Sequence, residues 1–136
     1  MGVKLLFTVL CDDIRLESSG KFVLVGVYNR IIAFQNAQGT AQSGGWAMPK
    51  LCLFRRWDLD ETDVPVKTEI VGPDSRTVMA FDTRLVRPPE NTFHQEIVQL
   101  VGVVFSPGHH RIVTTYQDAT LRELEESFEI RVVSQV

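Results

Sequence analysis

Apolar and polar side chains alternate with a period of two along most of this chain, and no long stretch repeats at the helical period of 3.6. The clearest run is 64–70, in which β-branched residues occupy every second position and Pro65, Lys67 and Glu69 lie between them. Because successive side chains of a strand point to opposite faces, this run predicts a strand with one face in the core. The alternation as a whole predicts an all-β protein.

Turn-forming residues divide the chain into segments of strand length, with breaks at 18–20, 72–75 and 88–91. The opening run 3–11 is apolar at both odd and even positions, which predicts a central strand with both faces covered. The 136 residues suffice for one domain with its own core. We therefore expect a single domain over 1–136, an antiparallel sandwich of two sheets that is immunoglobulin-like or related.

Two segments leave the strand pattern. Residues 35–45 consist of Gly, Gln, Ala and single Asn, Thr and Ser residues, and predict a mobile surface loop. Residues 119–127 have helix-forming composition but are short, so a helical turn and a polar edge strand both remain open. The fold is thus expected to contain at most one short helix.

Charge and hydropathy argue against several classes of protein. The net charge is −3 with both signs mixed, and no basic patch of the kind that neutralises phosphates is present, so we expect no nucleic-acid partner. No stretch approaches the roughly 20 apolar residues of a transmembrane helix, and the apolar run 5–11 with Leu10 before Cys11 does not fit a secretion signal. We expect a cytoplasmic protein without membrane association, in which Cys11 and Cys52 are reduced core residues.

Short motifs at both ends of the chain resemble a family. The opening contains Leu10-Cys11-Asp12-Asp13, then Gly20-Lys21, then Val25-Gly26-Val27-Tyr28, and the end contains Phe105-Ser106-Pro107-Gly108 followed by Arg111-Ile112-Val113. This combination resembles small bacterial all-β proteins of unknown function. The resemblance implies a bacterial β-sandwich with no established activity, and it carries over no catalytic or binding residue.

Acidic residues form the densest candidate metal site. Asp58, Asp60 and Asp63 could supply hard oxygen ligands to Ca²⁺, although the segment lacks the glycine and terminal glutamate of an EF-hand loop. The three histidines, His94, His109 and His110, lack the spacing of a zinc site, and a turn after Pro107-Gly108 accounts for the last two. Calcium is therefore the metal alternative that the sequence leaves open.

Aromatic and arginine residues form the candidate interface. Arg and Trp are enriched at protein–protein hot spots, and the sequence places Trp46, Arg55, Arg56 and Trp57 in one segment that begins beside the 35–45 loop. Core packing is the alternative role for both tryptophans.

These observations favour a protein that is not an enzyme. No nucleophile elbow, activated cysteine or phosphate-binding glycine loop is present, and we expect no cofactor. The favoured hypothesis is an interaction or scaffold module that binds a protein partner or forms a homodimer. The alternative is a Ca²⁺-binding β-sandwich with carboxylate ligands, with or without hydrolytic activity.

Overall fold

A computed structural model describes residues 2–36, 46–60, 63–90, 92–117 and 120–134, with the backbone alone at 34–36, 46–49 and 132–134. Within these residues the chain forms β-strands and contains no helix. The nine strands are β1 (Val3–Leu16), β2 (Phe22–Tyr28), β3 (Ile31–Asn36), β4 (Trp46–Leu59), β5 (Asp63–Val71), β6 (Thr77–Val86), β7 (Phe93–Phe105), β8 (Gly108–Gln117) and β9 (Leu121–Ser134). The prediction of an all-β chain is confirmed.

The strands form two sheets. A four-stranded sheet has the order β2-β1-β4-β7, and a five-stranded sheet, curled like half of a barrel, has the order β3-β9-β8-β5-β6. All neighbours are antiparallel except β3 and β9, which run parallel, so the prediction of a wholly antiparallel arrangement is wrong at this pair. Two strands distant in sequence can pair in either direction, and nothing local to 31–36 signals which one.

Segment 119–127, left open between helix and edge strand, belongs to a strand from Leu121 onward. Residues 121–127 of β9 pair with β8 alone, because β3 pairs with β9 only over 129–134, so the described part of this segment is an edge strand, one of the two predicted alternatives. Its helix-forming composition is overridden by the antiparallel ladder that it forms with β8. Residues 37–45 of the predicted loop lie outside the described residues, while 35 and 36 belong to β3.

Strand β4 is buried on both faces. Leu51, Leu53, Arg55 and Trp57 point toward the five-stranded sheet, which defines the inner face of the four-stranded sheet. Even-numbered residues such as Phe54 point to the opposite, outer face. The inner side chains pack with residues of the other sheet in two apolar clusters, one around Leu53 and one around Trp57.

The β1–β2 hairpin bends over the outer face. On β1, Leu16 pairs with Phe22 of β2, and Val9 pairs with Phe54 of β4. The two pairing positions on β1 are therefore seven residues apart. Seven extended residues span about 23 Å, yet the rings of Phe22 and Phe54 are 5.8 Å apart. Gly26 lies in this hairpin with a φ of 68°, a conformation that favours glycine. Part of the outer face is therefore covered by the chain itself.

Both cysteines lie under this cover. Cys11 and Cys52 are paired directly opposite each other on β1 and β4, fully buried and free. Burial, followed by the nearby Cys52 thiol, raises the pKa of Cys11 to about 11. A buried thiol with a raised pKa is a core residue and a poor nucleophile. In the described part of the chain, no helix is long and apolar enough to cross a membrane.

Candidate functional site

A buried ionic network joins the two sheets. The Nε of Arg55 on β4 donates to Oε1 of Glu96 on β7 at 2.5 Å, and the two residues are directly opposite each other. The two remaining guanidinium nitrogens donate to the hydroxyl of Thr114 on β8 at 2.9 Å and of Thr68 on β5 at 2.8 Å. Arg55 thus ties four strands together from a position with 0% exposure.

Glu96 is equally well satisfied. The indole nitrogen of Trp57 donates to Oε1 at 3.2 Å, and the hydroxyl of Thr83 donates to Oε2. Burial raises the pKa of Glu96, but the hydrogen bond and charge of Arg55 outweigh it, so the net pKa lies below the usual value. A carboxylate held ionised by donors from Arg55, Trp57 and Thr83, out of contact with solvent, is arranged for structure and not for proton transfer.

The outer face of the four-stranded sheet carries an exposed apolar surface. Rows of directly opposite residues cross it: Val9, Phe54 and Ile97 form one row, and Phe7, Arg56 and Gln95 form the next. We define the outer patch as six apolar residues of this face, Phe7, Val9, Phe54, Phe93, Ile97 and Val101, of which Phe54 is buried against Phe22 and the other five are partly or largely exposed. Ile97 is 39% exposed and Val101 is 69% exposed. Exposed apolar side chains that share one face are typical of interaction sites in folded proteins.

The outer face of the five-stranded sheet has the opposite character. Its charged side chains pair with one another, as in Lys67 with Glu69 at 3.2 Å and Arg111 with Glu125 at 2.6 Å. A cavity of about 500 Å³ opens there, lined in part by Lys67, Arg84 and Leu121. Arg84 binds both carboxylate oxygens of Asp63, at 2.8 and 2.9 Å. The two basic groups of this lining, Lys67 and Arg84, are therefore already paired with carboxylates of the chain.

The four predicted interface residues lie in three different settings. Arg55 and Trp57 are fully enclosed between the sheets, so neither can contact a partner directly from the folded chain. Arg56 points to the outer face, where its guanidinium carbon lies 4.5 Å from the ring centre of Phe93. Trp46 begins β4, and its side chain lies outside the described residues. Of the three predicted interface residues whose side chains the structure describes, Arg56 alone lies beside the outer patch.

The three candidate calcium ligands are engaged separately. Asp63 pairs with Arg84, and Asp60 accepts a hydrogen bond from the backbone nitrogen of Gly2. Asp58 lines a shallow cavity with Asp60, next to Lys4. Within the described residues no group of three or more His, Cys, Asp or Glu side chains is placed to hold a metal. Calcium binding at these residues stays a prediction.

The adjacent histidines point to opposite faces of β8, as their strand positions predict. The His109 side chain is 82% exposed, while His110 is buried and stacks on Phe128 with ring centres 5.1 Å apart. His110 Nδ1 lies 3.1 Å from the carbonyl oxygen of Gly108, and its Nε2 has no partner among the described residues. His94 contacts the backbone of Val86, on another strand.

No family model matches the chain, and no curated protein matches it either. The resemblance of its two ends to small bacterial β-proteins therefore stays a prediction.

The outer-facing residues of β7 were not among the predicted site residues. A signal for them was present, because Phe93, Ile97 and Val101 recur at every fourth position with Gln95 and Gln99 between them. This spacing puts five residues without charge on one face of one strand. The continuous apolar run from 97 concealed this arrangement.

Proposed function

We propose that this protein is a non-enzymatic interaction module that binds another protein molecule, a second copy or a different protein, through the outer patch. The observation that carries the proposal is the contrast between the two outer surfaces. One presents exposed apolar side chains on β1 and β7 beside the Lys50–Asp13 ion pair, and the other presents mainly charged side chains in ion pairs. Association driven by apolar burial would use the first surface.

The interior supports the same function. The buried Arg55–Glu96 pair and its threonine partners connect the sheets into a rigid support beneath the patch. A rigid surface loses less entropy on association than a mobile one, which favours binding. The charged groups of this network have hydrogen-bond partners within the chain, and none is left for chemistry on a substrate.

We also propose that the two sheets form a sandwich, immunoglobulin-like or related. The support is that Trp57 of the four-stranded sheet packs edge-on against Tyr116 of the five-stranded sheet, with ring centres 5.5 Å apart. The free thiols of Cys11 and Cys52 support our proposal of a reducing, cytoplasmic location.

The test compares two exposed apolar positions on opposite surfaces. Phe7 is 41% exposed and stacks on Phe54 in the outer patch, whereas Leu121 is 72% exposed on the other sheet. Native mass spectrometry of the purified chain should show a second protein molecule bound, and Phe7→Lys should weaken this association by about tenfold or more because it places a charge in an apolar contact.

The matched control, Leu121→Lys, should associate like the natural chain. A chain that remains monomeric and retains no protein at any concentration would contradict the proposal. Equal loss in both variants would show that the outer patch is not the site.

A further inference from the structure

Among the described residues, strand β7 is an edge of the four-stranded sheet. It has 13 residues, and within the described part of the chain it forms a ladder with β4 alone. Strand β6 meets it through side chains, with Thr83 bonded to Glu96 and Val86 contacting His94. Free backbone groups along one side of a strand are a template for another strand.

This edge lacks the charges that usually prevent pairing. Glu96 is the only Asp, Glu, Lys or Arg in the strand, and it points inward to Arg55. By contrast, the edge strand β6 carries Asp82 and Arg84. The other two edge strands are short, with seven residues in β2 and six in β3, and β2 belongs to the hairpin that bends over the outer face. Among the edges of the two described sheets, β7 is the long one whose single charged residue, Glu96, points inward.

The outer-facing residues of β7 are self-complementary. In order they are Phe93, Gln95, Ile97, Gln99 and Val101, so the pattern reads apolar, amide, apolar, amide, apolar in both directions. When such a strand pairs antiparallel with its own copy about Ile97, each residue meets one of its own kind. Phe93 then faces Val101, Gln95 faces Gln99, and Ile97 faces itself.

We propose that two copies of this chain associate by antiparallel pairing of β7 with β7, with the two-fold axis at Ile97. This inference rests on the proposed function and identifies its partner as a second copy. The two four-stranded sheets then become one continuous sheet of eight strands, and backbone hydrogen bonds are added to apolar contacts across the axis.

Chemical matching selects this register. Moving the axis to residue 96 or 98 keeps the same faces together but places Ile97 opposite a glutamine amide. Glu96 does not oppose the pairing, because its charge is compensated by Arg55 within its own chain. At Gly102 a φ of 69° interrupts the extended strand, so the regular ladder covers residues 93–101.

Cysteine cross-linking tests the axis. Directly opposite residues of an antiparallel pair have Cα atoms about 4.5–5.5 Å apart, within the range that a disulfide spans. Ile97→Cys should therefore form a covalent dimer by itself under mild oxidation. Gln95→Cys and Gln99→Cys should each remain uncross-linked alone and form a disulfide when mixed. The natural cysteines are buried and should not interfere.

A charge at the axis provides a second measurement. Ile97→Lys places two like charges opposite each other and should weaken dimerisation in native mass spectrometry by about tenfold or more, whereas Ile97→Val should dimerise like the natural chain. The matched control is Val25→Lys on β2, a residue of similar exposure at the other edge of the same sheet.

Each contrary outcome has a separate meaning. The β7 pairing is overturned if the dimer persists in Ile97→Lys and no disulfide forms in Ile97→Cys. It is also overturned if Val25→Lys, and not Ile97→Lys, removes the dimer. Both results leave the proposed interaction module in place. If the chain is monomeric and binds a different protein through Phe7, the β7 pairing is likewise overturned and the interaction module remains. A monomer that retains nothing overturns both proposals.

Discussion

At the scale of single residues, Arg55 shows how the environment decides the role of a side chain. An arginine between Phe54 and Arg56 suggests a surface position, yet it is fully buried, because every second residue of β4 faces the other sheet. Its charge is tolerated there since Glu96, Thr68 and Thr114 satisfy three of its nitrogens.

Removing this arginine should strongly destabilise the fold. Arg55→Met leaves the Glu96 carboxylate buried without its counter-ion, and we expect a loss of about 3–5 kcal/mol in the free energy of unfolding, measured with urea. In the natural chain the pKa of Glu96 is lowered by folding. Its contribution to the free energy of unfolding is therefore fully present above the usual pKa of 4.5, and it is lost as the pH falls through the pKa of the folded state. The difference in the free energy of unfolding between the natural chain and Arg55→Met should therefore decrease as the pH is lowered.

The control is an exposed ion pair of the same type. Arg84→Met removes the partner of Asp63, and the loss should stay within about 1 kcal/mol because both groups are solvated. Similar losses for the two arginine variants would contradict the role of the buried network.

His110 should make stability depend on pH near neutrality. Burial lowers its pKa below the usual 6.5, while Gly108 and then Asp74 act in the opposite direction. Below pH 6.5 the imidazole of His110 is therefore protonated in the unfolded chain and remains neutral in the folded chain. The free energy of unfolding should fall as the pH drops below 6.5, by up to about 1.4 kcal/mol per pH unit. His110→Phe keeps a ring against Phe128 and should flatten this dependence in urea unfolding between pH 5 and 7.

The exposed neighbour serves as the control for that measurement. His109→Gln should retain the pH dependence of the natural chain. If the slope persists in His110→Phe, the buried imidazole is not its source.

At the scale of the elements, β-strand periodicity predicted most segments correctly. Strands β5 and β6 follow the alternation in the sequence, with Val64, Val66 and Ile70 buried. Strand β3 was missed because it is short and adjoins the polar segment 35–45. Its partner β9 is almost a hundred residues away in sequence, so its pairing had no local signal.

Two glycines within strands offer a matched comparison. Gly26 and Gly102 have nearly equal φ values of 68° and 69°, but a Cβ on Gly26 would overlap the carboxylate of Asp12, whereas a Cβ on Gly102 meets nothing within 4 Å. Alanine at either position incurs left-handed backbone strain of about 1–2 kcal/mol. Gly26→Ala should cost more, because Asp12 must also move away from its hydrogen bond with Tyr28.

Thermal or urea unfolding of the two alanine variants measures this difference. Equal destabilisation would show that Asp12 adjusts freely, and that the hairpin does not depend on its position.

At the scale of the whole molecule, the outer surfaces of the two sheets differ in polarity. The charged surface of the five-stranded sheet is suited to water, and its charges pair within the chain. The four-stranded sheet leaves apolar residues exposed on β1 and β7 after its own hairpin has covered Phe54. Association through β7 would complete the burial that the single chain begins.

The sequence by itself determined that this chain forms strands and where most of them end, because alternation and turn residues act over a few neighbouring positions. Only the tertiary structure decided which face of each strand lies between the sheets and which lies on the outer surface. Strand β4 has apolar residues at both parities, so the sequence could not distinguish its inner from its outer face. That choice depends on pairing with Glu96, 41 positions away, which draws Arg55 and Trp57 inside and leaves Arg56 beside the outer patch.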